Sequence, residues 1–414
     1  MKDRSLKDRL VQHYWSQKWY VQPEVPVYYP QGLSGKTKLV TDVDVLALRP
    51  TSDLRWEKVL GDCKAIRNIS PVNRALWIRG LMDYTDARSG LVLLSREADI
   101  ETDHRLLAAS LGVTLAGVDE LDVLDQAVVY PRGSQDVKVD SISLLHFQQT
   151  AKRFPRTAES ISFLHSSALY DRPFGALIRK TMGELRSLAK ELDPNQEYHV
   201  ALALEAAGVL ALGIAECVGV VFHTYLHPQS KDLLDSTLRV LIWEGRERYE
   251  QMRKLRAELL EQKGVRTIAN EDVLLPLWDK FIELVRSMLD HPRAAFEVPW
   301  HLRRAAVGIL RPDSGQFPLS RNDLPAVKFA FLVADYVSRA AGFHSGFTSR
   351  MLRQLTAELS NLSAAPAEVS AVSSAEESKR SDTTSTQLTI TSASDSAVTS
   401  QKTLPLPEPK SQKE

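Results

Sequence analysis

Three charged side chains set among apolar neighbours are the part of this 414-residue chain best suited to chemistry. Asp44 lies in Thr41-Asp-Val-Asp-Val-Leu-Ala47, and Asp62 and Lys64 lie in Gly61-Asp-Cys-Lys64. Both runs read as strands, and residues at i and i+2 of a strand share a face. Asp62 and Lys64 therefore project together, and a pairing of the two strands would bring Asp44 beside them. Two hard oxygen donors suit Mg2+ or Mn2+, and a nearby lysine can orient a water. That is the minimum apparatus for metal-dependent hydrolysis of a phosphodiester. Charges in apolar strands need partners, because burying one alone is costly; a purely structural Asp–Lys pair would satisfy the same rule.

The elements that must position these groups can be read around them. Leu6, Leu10, Val11 and Tyr14 give residues 5–20 helical spacing, and Pro23 and Pro26 are expected to end that helix. Val25–Tyr29 and Leu39–Leu48 are β-branched and aromatic, with Gln31-Gly-Leu-Ser-Gly35 as turn material between them, so a hairpin is expected. Trp56–Ile66 follows as a third strand. Ser70-Pro71 opens a helix to about Asp86, with an N-cap serine and a proline in the first turn. Gly90–Ser95 reads as a short strand buried on both faces, Glu101–Leu111 as a helix ended by Gly112, and Val113–Ala116 as a last strand. This order, α-β-β-β-α-β-α-β, implies a mixed sheet flanked by helices.

Beyond about residue 140 the pattern is helical, with candidates at Leu144–Arg153, Gly175–Glu191, Gln196–Leu226, Lys231–Gln262, Glu271–Leu289 and Leu324–Leu359. The expected organisation is an α/β N-terminal domain over 1–127, a linker over 128–140, an all-α domain over 141–360 and a tail over 361–414. In that tail 19 of 54 residues are Ser or Thr, too few apolar groups to offset the entropy of ordering, so it is expected to be disordered.

Asp44, the Asp62-Cys-Lys64 triplet and the order of elements around them resemble the PD-(D/E)xK nuclease superfamily, which includes many restriction endonucleases and Holliday-junction resolvases. The resemblance covers about residues 1–120 and implies a restriction endonuclease-like αβββαβ core. It further implies that Asp44 and Asp62 hold Mg2+ or Mn2+, that Lys64 positions the attacking water, and that the Cys63 carbonyl is a further metal ligand. The implied substrate is nucleic acid, DNA before RNA. The proline of the nominal motif is absent, since Val43 precedes Asp44. The family often adds an acidic residue from the first helix, where Asp8 is the one mid-helix candidate. The alternative is a catalytically inactive nuclease-like scaffold that acts as a protein-interaction module.

Other motifs carry less. Gly32-Leu-Ser-Gly-Lys-Thr37 looks like the end of a P-loop, but Pro30 stands where a glycine is needed and a strand follows where a helix should. Arg67, Arg74, Arg79 and Arg88 could meet a phosphate backbone, although a solvated helix face explains them as well. His223 and His227 are one helical turn apart, a spacing that can ligate zinc, but no Glu follows His223 and Pro228 ends the helix. Glu244–Glu261 alternates acidic and basic residues, and Gly208, Gly213 and Gly219 permit close helix packing. Together these suggest a helical domain able to form a homodimer or bind a protein partner.

Composition sets outer bounds. Net charge is zero, so no global basic field advertises nucleic acid. The balance is local: residues 1–100 hold 16 Lys/Arg against 12 Asp/Glu, while residues 101–150 hold 3 against 8. Two cysteines, Cys63 and Cys217, exclude a disulfide framework and fit a reducing cytoplasm. The charged start, Met1 to Arg9, lacks the apolar centre of a signal peptide. Val200–Leu226 is long enough to cross a membrane, but Glu205, Glu216 and His223 interrupt it, so a buried core helix is expected and no membrane partner.

Overall fold

The computed structural model describes residues 3–29, 38–65, 70–95, 99–128, 139–171, 173–226, 230–263, 273–311 and 319–359. The expectations placed on the turn Gln31–Gly35, the P-loop-like segment, most of the linker and the tail fall outside these residues, as do Arg67 and His227.

The N-terminal part runs α1 (Arg4–Ser16), β1 (Tyr20–Tyr29), β2 (Lys38–Pro50), β3 (Trp56–Lys64), α2 (Pro71–Thr85), β4 (Ser89–Leu94), α3 (Thr102–Ser110), β5 (Val113–Gly117) and α4 (Glu120–Val128). The five strands form one mixed sheet in sequence order. β1, β2 and β3 are antiparallel neighbours, and β4 and β5 add in parallel. The parallel additions use α2 and α3 as crossovers, the geometry a parallel neighbour requires. The mixed sheet with flanking helices is as the sequence implied; α4 was not foreseen.

Pro23 and Pro26 do not end the first helix, which stops at Ser16; both lie inside β1. β1 is an edge strand of the sheet. An edge has one row of backbone groups without ladder partners, so proline's missing N–H costs little there.

The helical part comprises α5 (Ser141–Arg153), α6 (Ala158–Leu164), α7 (Ser167–Tyr170), α8 (Phe174–Leu188), α9 (Glu197–Tyr225), α10 (Lys231–Ile242), α11 (Arg246–Gln262), α12 (Trp278–Leu289), α13 (Pro292–Ala295), α14 (Val298–Leu310), α15 (Leu324–Ala341) and α16 (Ser345–Leu359). Two segments expected as single helices are each broken by a glycine. Gly245, at φ 129°, separates α10 from α11, and Gly342, at φ 76°, caps α15 before α16. Both conformations favour a residue without a Cβ.

The sheet is covered on both sides. Leu10, Val11, Tyr14 and Trp15 of α1 pack with Val45, Ala47, Val59, Cys63, Leu91 and Leu93, and Trp300 and Val307 of α14 join this cluster. Leu46, Leu48, Leu60, Val92 and Leu94 belong to a second, larger core shared with Ala75, Ile78 and Met82 of α2 and with α9. The change of element type near residue 140 does not divide the packing, and Met1–Ala365 is one compact unit. The second unit, Pro366–Glu414, lies outside the described residues. Among the described residues one helix, α9, is long and apolar enough to cross a membrane, and 89% of its most apolar window is buried in the protein.

Candidate active site

The strand ladder brings Asp44, Asp62 and Lys64 together. β2 pairs with β3 from Pro50↔Trp56 to Val45↔Gly61, so Asp44 stands one residue beyond the last pair. There its carboxylate reaches across: Oδ2 accepts from the Cys63 N–H at 2.8 Å and from Lys64 Nζ at 3.1 Å. Lys64 Nζ also lies 3.1 Å from Asp62 Oδ1. The three groups sit at the C-terminal end of β3, beside the end of its parallel neighbour β4, where open α/β sheets place their ligand crevices. Asp62 is 1% exposed and Asp44 8%. The side chains of Lys64 and Glu24 retain 21% and 26% exposure, so the cluster opens to solvent on their side.

Three further residues complete the cluster. Lys7 of α1 donates to Asp44 Oδ1 at 2.7 Å and to Glu24 Oε1 at 2.5 Å. Glu24 falls between the pairs Pro23↔Val45 and Val25↔Val43, so it faces Asp44 across the β1–β2 ladder. Its backbone is left-handed, with φ 52°, a strained conformation for a residue with a Cβ. Arg74, in the first turn of α2, forks onto Asp62 through Nε to Oδ2 at 2.7 Å and Nη2 to Oδ1 at 2.5 Å. The Arg74 guanidinium also lies 4.1 Å from the Trp77 ring centre. Ser70 caps α2 by accepting from the Asn73 N–H at 3.2 Å, with Pro71 at the first turn, as the sequence implied.

The electrostatics are closed. Three carboxylates, Glu24, Asp44 and Asp62, face three cations, Lys7, Lys64 and Arg74. Burial pushes the Asp44 carboxyl upward, but the Lys7 hydrogen bond, the Cys63 N–H and the fields of Lys64 and Lys7 outweigh it, and the net shift is downward. Burial pulls the Lys64 ammonium down, yet Asp62 and Asp44 carry it above its ordinary value. The Lys7 ammonium is raised in the same way by Asp44 and Glu24. Burial, with Asp44 and Asp62 adding to it, holds the Cys63 thiol well above its usual value. Its side chain is fully buried in the α1-side core. The part of Cys63 that the cluster engages is its N–H.

The donor set is all oxygen, which fits Mg2+ or Mn2+. Glu24, Asp44 and Asp62 would be the carboxylates to hold it, and Lys7 and Arg74 hold the same oxygens. Asp8 is not among them: its Oδ1 accepts the Ser141 N–H at 2.7 Å, tying α1 to α5. Arg79 pairs with Asp83, and Arg88 lies 3.6 Å from Glu57 at the start of β3, so neither joins the cluster. His223 Nε2 lies 2.6 Å from the Asp53 carbonyl oxygen.

Lys7 and Glu24 were not foreseen. The sequence does hold a signal for Lys7, which shares its helix face with Leu10, Val11 and Tyr14 at i+3, i+4 and i+7. A lysine on an apolar stripe needs a carboxylate partner. Glu24 sits between two prolines and owes its place to a backbone conformation that its residue type does not announce. Compared with known proteins, the chain matches no family model, no curated protein and no solved structure.

Proposed function

We propose that the protein is a divalent-metal-dependent nuclease of the PD-(D/E)xK type that hydrolyses nucleic-acid phosphodiester bonds, DNA in preference to RNA. The observation that carries this reading is the placement of Lys64 Nζ 3.1 Å from both Asp44 and Asp62 at the end of β3. The αβββαβ order over α1 to β4 accords with a restriction endonuclease-like core. Asp44 and Asp62 would hold the cation, and Glu24, which shares the Lys7 ammonium with Asp44, is the third carboxylate of the cluster. A bound Mg2+ or Mn2+ supplies charge neutralisation at the phosphate and a more acidic water. Lys64, kept cationic by its two carboxylates, orients the water and meets the charge that develops on the phosphate. Asp44 is fixed by the Cys63 N–H, and Asp62 by the fork of Arg74.

One observation favours the alternative of an inactive scaffold that binds a protein partner. Lys7 and Arg74 satisfy the carboxylates without any metal, so the cluster is complete as an ion-pair network. Cleavage assays separate the two. The protein and its Asp62→Ala and Lys64→Ala variants are incubated with mixed DNA and RNA substrates in Mn2+ or in EDTA. The nuclease reading expects cleavage that needs metal, Asp62 and Lys64 together. Wild-type rates in either variant would refute the assignment. No cleavage, with no Mn2+-induced rise in melting temperature, would move the reading to the scaffold.

A further inference from the structure

We propose that Glu297, His301 and Asp323 form a second metal site, of transition-metal class and with zinc as its probe, on the helical side of the molecule. Each residue offers one ligand atom, and these atoms lie within 4.8 Å of one another. Glu297 immediately precedes α14 and His301 lies four residues later, so both side chains occupy one face of that helix. Asp323 comes from the short 3-10 turn that leads into α15.

His301 is the observation that asks for a ligand. It is fully buried, and among the described residues neither ring nitrogen has a hydrogen-bond partner. Buried polar atoms of native proteins are nearly always satisfied, so such an imidazole, with one nitrogen within 4.8 Å of an oxygen of Glu297 and of Asp323, is unusual.

The carboxylates are set for the purpose. Asp323 Oδ2 accepts the Ser320 N–H at 2.8 Å and the Ser320 hydroxyl at 3.2 Å, which fixes its direction as outer-shell contacts do in metal sites. The Glu297 side chain, 25% exposed, gives an ion its way in. A nitrogen donor beside two carboxylates selects Zn2+ and its neighbours over Mg2+, which distinguishes this site from the all-oxygen cluster at Asp44 and Asp62.

Lys18 stands in the same place. Its ammonium bridges Glu297 Oε2 at 3.3 Å and Asp323 Oδ1, so an entering cation displaces it and inherits both carboxylates. Lys18 leads from α1 into β1, and the site therefore sits where the sheet meets α14 and α15.

Zinc content of the full chain tests this, measured after loading with Zn2+ and removal of free metal. Roughly one tightly held ion per chain is expected, as for a site built from protein side chains. Co2+ in its place should give visible absorption of low-coordinate geometry. Glu297→Gln and His301→Gln should lose the ion, Asp62→Ala should keep it, and Lys18→Met should hold it several-fold more tightly. Circular dichroism in EDTA checks that each variant folds, and Glu297→Gln, at a half-buried position, keeps the test decisive if His301→Gln does not. Wild-type protein that retains no zinc overturns the proposal. So does retention that survives Glu297→Gln, or a folded Lys18→Met that binds no better than wild type.

Discussion

At the scale of single residues, the cluster around Asp44 is held by charges that have left water together. Removing one partner of a buried, hydrogen-bonded charge costs more than the pair itself contributes, because the other is left uncompensated. Asp44→Asn should therefore destabilise the protein by about 2 kcal/mol at neutral pH, as loss of hydrogen bonds to a charged group does. Its pH dependence has a definite sign. The folded-state pKa of Asp44 lies below the ordinary carboxylate value, so its contribution is complete above about pH 4 and is lost as pH falls through the lower, folded value. Lys7 and Lys64 shift the other way: their contribution is complete below the ordinary lysine value and is lost only as pH rises past it. Urea unfolding from neutral pH into the acid range should show wild-type stability falling more steeply than that of Asp44→Asn. Parallel curves would mean that Asp44 is not held as the geometry says.

At the scale of elements, close approach decides where the sheet can sit. Gly219 of α9 lies so near the turn between β2 and β3 that a Cβ there would stand 2.3 Å from the Leu54 carbonyl oxygen. That oxygen is backbone and cannot swing aside. Beside it, Trp56 Nε1 donates to the Leu212 carbonyl of α9 at 3.0 Å. Gly219→Ala should consequently cost about 2 kcal/mol, the usual scale for overpacking a filled interior. Chemical denaturation measures it, and a neutral substitution would show that α9 can slide on the sheet. Gly61 makes a similar contact for α1, where a Cβ would meet Leu10 Cδ2 at 2.4 Å. A shift of α1 would carry Lys7 with it, so packing at Gly61 and charge balance at Asp44 are linked through one helix.

At the scale of the whole molecule, sheet and helices are joined by a polar knot as well as by apolar surface. Glu205 of α9 and Arg303 of α14 are both fully buried. Glu205 Oε1 accepts from Tyr20 of β1 at 2.9 Å, and the Arg303 guanidinium lies 4.3 Å from the Tyr20 ring centre and donates to Gln22. A fragment of residues 1–127 would expose Tyr20, Gln22 and the apolar face that meets α9, leaving polar and apolar groups alike without partners. It is expected to lack a cooperative thermal transition and to bind a hydrophobic dye, whereas residues 1–365 should melt as one unit. A cooperatively folding 1–127 fragment would show that the α/β part is self-sufficient.

Local structure was legible along the chain. Runs of β-branched, aromatic and apolar residues marked the strands, Ser70-Pro71 marked the start of α2, and Asp62 and Lys64 shared a face because strand geometry has a period of two. The sequence also singled out Asp44, since an acid in an apolar run must find partners. Which partners those are follows from the packing of segments distant along the chain. Lys7, Glu24 and Arg74 come from three separate elements, and no spacing along the chain relates them to Asp44 or Asp62. Tertiary packing likewise put Pro23 and Pro26 in an edge strand, because the cost of a missing N–H depends on whether a neighbouring strand needs it. It also drew the sheet and helices into one unit, because burial of Glu205, Arg303 and α9 belongs to surfaces that exist only once the chain has folded.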